Sequence, residues 1–322
     1  MVSAASFTLS KAFAPPEVKD PASPPRWLKH TDSGVPYWSV ASDSFWYGLD
    51  SATANRINAT SESDWVYVNV LYFHGNSCDI ASSDPKTSSK PTVEQIIQAF
   101  PVFGGDGNVY MFRVTVFDYP GYGYHASRVV AASEAEVMAS VDDAADVAFD
   151  ATGQGPKVVN VAWGYSIGTG PATLFSTRLE SCVDLLYLQA PPKSLVTCYP
   201  PEALGFLGVI ANAAVYLGLD VFDTKKNVAR VILNGTKVIV HQGRDDITVP
   251  FATNNAALWS MGDEEDVLSG MTVHTFDNAD HNWFTAFRNG DGIKQTSVHI
   301  MDAISEIAEK EGWVDLEMGS GE

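Results

Sequence analysis

Cysteine is scarce in this chain: among 322 residues only Cys78, Cys182 and Cys198 occur. An odd, sparse set does not read as a disulfide framework, and a reducing compartment suits it better. Basic residues are also few, with 20 Lys and Arg against 39 Asp and Glu and a net charge of −19. Such a surface repels phosphate backbones, which argues against nucleic acid as a partner and disfavours docking to anionic lipid. Long apolar runs are missing. The longest, residues 203–219, has Asn212 in its middle and falls short of the ~20 apolar residues that a spanning helix needs. Residues 1–20 lack a basic start followed by an apolar run, so no signal peptide is read and a cytoplasmic location is expected. His, Cys and carboxylate groups show no metal-ligand spacing, and phosphate-cradling glycine loops are absent in usable contexts. Neither a metal nor another cofactor is therefore expected.

What is present is an alternation of strands and helices. Hydrophobic residues make up 45% of the chain and charged residues 18%, enough for a large core. Residues 1–36 are rich in Pro, Ser and Ala and read as an extended or disordered arm. Residues 37–314 read as one α/β domain and residues 315–322 as an acidic tail. Strands are expected at 66–73, 109–117, 157–163, 183–189, 237–241 and 271–276. Helices are expected at 92–100, 133–149, 167–178 and 296–311, with Ser133 as an N-cap before Glu136. This order implies a mostly parallel central sheet with helices on both faces. In such sheets ligands bind at the carboxyl ends of the strands. The polar, glycine-rich motifs at 74–76, 118–123, 164–168 and 242–246 fall at those ends.

Gly164-Tyr165-Ser166-Ile167-Gly168 follows a strand and opens a helix. This is the setting in which G-x-S-x-G presents a nucleophilic serine on a strained turn. His74-Gly75-Asn76 ends an earlier strand. An oxyanion hole can be assembled there from the backbone N–H groups of Asn76 and Ile167. His74 precedes the serine and does not fit the chain order Ser, acid, His, so it reads as a loop-holding residue. Asp245 and Asp246 compete for the acid position, since adjacent residues in a turn point in different directions. Three histidines follow them: His274 inside a strand, His299 inside the closing helix, and His281 at a strand's carboxyl end. Only His281 is placed to act as general base. Cys78 reads as inert rather than nucleophilic.

Taken in order, these motifs resemble the α/β-hydrolase-domain proteins, which include depalmitoylating acyl-protein thioesterases and serine aminopeptidase-like hydrolases. The resemblance rests on residues 71–76, on Phe117-Asp118-Tyr119-Pro120-Gly121-Tyr122-Gly123, on the serine elbow and on the acid-then-histidine pair. It covers roughly residues 65–290. The family's H-G-x-x-D acid motif stands here as His241-Gln242-Gly243-Arg244-Asp245-Asp246, with one residue inserted before the glycine. Counting from Gly243 selects Asp246. The family's G-A-G-H stands as Asn278-Ala279-Asp280-His281.

The resemblance implies an α/β-hydrolase fold with a short cap near residues 195–230. It also implies a Ser166–His281–Asp246 triad that cleaves an ester or thioester through an acyl-enzyme. A small-molecule or acylated-protein substrate would be the partner. Tyr165, Tyr122 and Leu195 are candidate substrate contacts, and the apolar stretch 203–219 could line an acyl-chain pocket or simply pack in the core. The arm before Ser39 has neither the cysteines nor the anchor of membrane-bound members. Membrane contact is thus left open without an anchor, and the oligomeric state is not readable. Two other readings stay in view: a peptidase acting on short peptides, and a binding protein that kept the fold without catalysis.

Overall fold

The computed structural model describes residues 27–43, 49–76, 80, 93–104, 106–125, 133–150, 155–194, 222–259, 268–281 and 291–313. Eight strands form one sheet: β1 (Lys29–His30), β2 (Pro36–Ala41), β3 (Trp65–Phe73), β4 (Val109–Phe117), β5 (Val158–Tyr165), β6 (Leu185–Gln189), β7 (Lys237–Gly243) and β8 (Met271–Phe276). Their spatial order is β1-β2-β4-β3-β5-β6-β7-β8. The pairs from β4 through β8 are all parallel, while β1 and β2 add an antiparallel edge. The helices are α1 (Ser51–Ala59), α2 (Val93–Gln98), α3 (Glu134–Ala148), α4 (Thr169–Ser176), α5 (Thr224–Leu233), α6 (Phe251–Asn254) and α7 (Asp291–Lys310).

The strands are apolar throughout because both faces of the sheet are covered. Side chains alternate between the faces. Leu71, Phe73, Ala162, Leu186, Leu188, Val238 and Val240 join the core that α3, α4 and α5 cover. Val68, Val70, Val161, Trp163, Leu185, Tyr187 and Ile239 join the core that α2 and α7 cover. Each fully buried Val, Leu or Ile contributes about 1.5–3 kcal/mol. The central strands are therefore the least able to move, and they carry the loops that matter.

Helix α3 starts where its sequence says. Ser133 Oγ accepts from the Glu136 N–H at 3.2 Å, and the Glu136 carboxylate accepts from the Ser133 N–H at 2.6 Å. This reciprocal cap fixes the helix after the 118–125 turn. Of the arm expected at residues 1–36, residues 1–26 lie outside the described residues, and Lys29–His30 forms the outermost strand. Of the cap expected at residues 195–230, residues 195–221 lie outside the described residues; helix α5 buries Val228, Ala229 and Val231 against the sheet. The acidic tail 315–322 also lies outside them.

Candidate active site

Ser166 sits at the turn between β5 and α4 with φ 54°, the left-handed region. A non-glycine residue there costs roughly 1–2 kcal/mol. The surrounding glycines make the turn possible. A Cβ on Gly168 would lie 2.3 Å from the Phe73 carbonyl oxygen, and one on Gly164 would lie 2.6 Å from Thr169 Cα. The elbow is thus wedged against the end of β3, and no larger residue fits on either flank. Ser166 is 6% exposed.

Two further loops converge on it. Asp246 follows β7, and its Oδ1 accepts from the Thr248 N–H at 2.9 Å and the Val249 N–H at 2.8 Å. That Asx-type turn aims the other carboxylate oxygen at His281, and Oδ2 lies 2.7 Å from Nδ1. The opposite ring nitrogen, Nε2, lies 3.0 Å from Ser166 Oγ. A hydroxyl, an imidazole and a carboxylate thus stand in one hydrogen-bonded line, all three buried. Asp245, the rival acid, faces solvent; its N–H donates to the Ala279 carbonyl.

The acid and base loops are tied together. Arg244 N–H donates to the Phe276 carbonyl at 3.0 Å and Asp245 N–H to the Ala279 carbonyl at 3.1 Å. Asn278 has φ 57°. It occupies a left-handed position where the family motif has glycine, and Asn is among the few residues that tolerate it.

The loop after β3 is held from below. Asp118 is fully buried and accepts from the Ile80 N–H and the Tyr124 N–H, both at 2.8 Å. His74 packs 4.3 Å from the Tyr119 ring, and its Nδ1 donates to the Gly75 carbonyl. Tyr119 donates to the His74 carbonyl at 3.3 Å. Tyr122 donates to Asn76 Oδ1 at 2.6 Å. The expectation that Tyr122 touches substrate meets a different placement: the residue is 0% exposed and its hydroxyl is spent on Asn76. Tyr165 is likewise turned inward, donating to the His281 carbonyl at 3.2 Å with its ring 5.4 Å from the imidazole. Both tyrosines brace loops. Leu195, the third expected substrate contact, and Cys78 lie outside the described residues, and Cys182 is exposed.

The backbone grip on Asp246 is the feature that motif reading missed. Its signal is present in Asp246-Ile247-Thr248-Val249-Pro250, an aspartate opening a turn that closes on proline.

Comparison with solved structures places this architecture. The peroxisomal α/β-hydrolase of Saccharomyces cerevisiae superposes with a TM-score of 0.55 at 14% identity, covering 90% of this chain and 86% of that one. The chain has the α/β-hydrolase fold. An esterase of Pyrococcus furiosus superposes with a TM-score of 0.53 at 11% identity, covering 91% of this chain and 98% of that one. A Porphyromonas gingivalis dipeptidyl peptidase 4 is similar at a TM-score of 0.48 and 11% identity over 87% of this chain, which spans 35% of that protein's length. No family model and no curated protein sequence matches. The likeness is thus one of fold. Among the described residues, no helix is long and apolar enough to cross a membrane.

Proposed function

We propose that the chain is a serine hydrolase that cleaves a carboxylic ester or thioester through an acyl-enzyme. The observation that carries this reading is the Ser166–His281–Asp246 line, with 3.0 Å and 2.7 Å between the reacting atoms. A serine hydroxyl is a weak nucleophile unless an adjacent base takes its proton. In this reading His281 Nε2 takes it as Ser166 Oγ attacks the carbonyl carbon. Asp246 holds the Nδ1–H tautomer and stabilises the imidazolium. The N–H groups of Asn76 and Ile167 receive the developing oxyanion, each worth roughly 3 kcal/mol of barrier. His281 then protonates the leaving alcohol or thiol. Water attacks the acyl-enzyme by the same route, with His281 again as base.

The strain at Ser166 supports the same reading. A left-handed serine is kept where a hydroxyl must project from a sharp turn, and such strain concentrates at functional sites. Esters and thioesters are put before amides because their leaving groups need less protonic assistance. A fluorophosphonate probe tests the nucleophile: labelling of the wild type that disappears in Ser166→Ala supports the reading. Folded wild type that fails to label overturns it in favour of a binding protein. Matched ester, thioester and anilide substrates test the bond, and an anilide preference would make it a peptidase.

A further inference from the structure

Away from the triad, three histidines from three elements meet on the face of the sheet that α7 covers. His241 lies on β7, His274 on β8 and His299 on α7. Each offers a ring nitrogen, and these atoms lie within 4.8 Å of one another. His299 Nδ1 is 2.8 Å from His241 Nε2, and the His274 and His299 rings stack with centroids 3.7 Å apart. His241 is fully buried, while the other two are partly exposed, which leaves a path from solvent.

The surroundings suit a ligand set better than a packing accident. Behind His241, its Nδ1 is 2.6 Å from the Tyr187 hydroxyl, which can donate onward to Thr296 Oγ1 at 3.1 Å. Gln189 Nε2 donates to both of those oxygens, and Trp163 Nε1 holds Gln189 in that orientation at 2.9 Å. A histidine whose far nitrogen donates to a fixed oxygen presents its near nitrogen as a lone pair, the usual support of a metal-binding imidazole. Burial disfavours charge on all three rings, His241 most of all. Asp302, one helical turn beyond His299, sets a negative charge near both His274 and His299.

We propose that His241, His274 and His299 bind one divalent transition-metal ion of the zinc class, linking β7, β8 and α7. Three neutral imidazoles suit zinc, copper and nickel rather than calcium or magnesium. Zinc–nitrogen bonds of about 2.0–2.1 Å put tetrahedral ligand atoms about 3.4 Å apart. Binding therefore draws in the widest pair and parts His299 Nδ1 from His241 Nε2, which now stand 2.8 Å apart. The ion would act as a staple, because β7 and β8 end in the loops that carry Asp246 and His281. The site is separate from the triad and does not depend on the proposed chemistry.

The test is zinc titration of the full chain after chelation and dialysis, read by metal analysis, calorimetry and thermal unfolding. One equivalent of Zn2+ is expected, with Tm raised by about 5 °C at a hundredfold excess over Kd. His274→Gln and His299→Gln, both at partly exposed positions, should each weaken binding at least tenfold, with far-UV circular dichroism unchanged. His281→Gln should leave it intact. Folded wild type that binds no Zn2+ overturns the proposal. So does binding that survives both cluster variants, or that is lost in His281→Gln.

Discussion

Two buried histidines, His281 and His241, lie in different surroundings, and their neighbours give them opposite characters. His281 has a carboxylate on one nitrogen and a hydroxyl on the other. His241 has a tyrosine hydroxyl on one and a second histidine on the other. In the proposed reaction the carboxylate would stabilise the imidazolium of the first ring. Without one in hydrogen-bond contact, the second ring is held neutral by burial, which offers lone pairs rather than proton transfer. Burial alone therefore does not make a histidine a base; the partner on its far nitrogen does.

The largest blow to this contrast is removal of the hydroxyl. Ser166→Ala is expected to lower kcat on a chromogenic ester by roughly 10⁵–10⁶-fold while unfolding stability stays nearly constant, since alanine keeps the Cβ and with it the left-handed strain. Asp246→Asn takes the carboxylate from His281 and leaves it with a neutral partner, as His241 has. About a 10⁴-fold loss in kcat is expected, read by steady-state kinetics with KM little changed. Tyr122→Phe frees Asn76 Oδ1 and sharpens the separation of positioning from chemistry. A loss of about tenfold in kcat is expected, with fluorophosphonate labelling slower but retained. The smallest effect concerns acid. His241, His274 and His299 all have folded pKa values below the unfolded one. Protonation therefore favours the unfolded chain: the stability is present above about pH 6.5 and is lost as pH falls through it. Urea unfolding between pH 7.5 and 5.5 should show that slope, and His299→Gln should make it shallower.

Motif order brought Ser166, Asp246 and His281 together on paper because each follows a strand, and parallel strands end at one edge. The directions of Tyr165 and Tyr122 were not legible. Proximity to a nucleophile in sequence says nothing about which side of a sharp turn a ring faces. The antiparallel edge was also missed. Pro36-Tyr37-Trp38-Ser39-Val40-Ala41 opens on proline, which suits the first residue of a strand but looks like loop in a proline-rich context. Helix α1 escaped notice because its residues are mostly polar, and the Asp50 cap that starts it is a single side chain. The three-histidine cluster had no local spacing to betray it, since β7, β8 and α7 meet only through the sheet.

The two backbone hydrogen bonds between the loops after β7 and β8 bear on how this molecule can change. Main-chain groups are common to nearly every amino acid, so the separation of acid from base is insensitive to which side chains occupy 244, 245 and 277. The exposed Arg244–Asp277 ion pair across those loops adds little to that hold. Side chains on these loops can therefore change, surface charge included, while the spacing of Asp246 from His281 stays fixed.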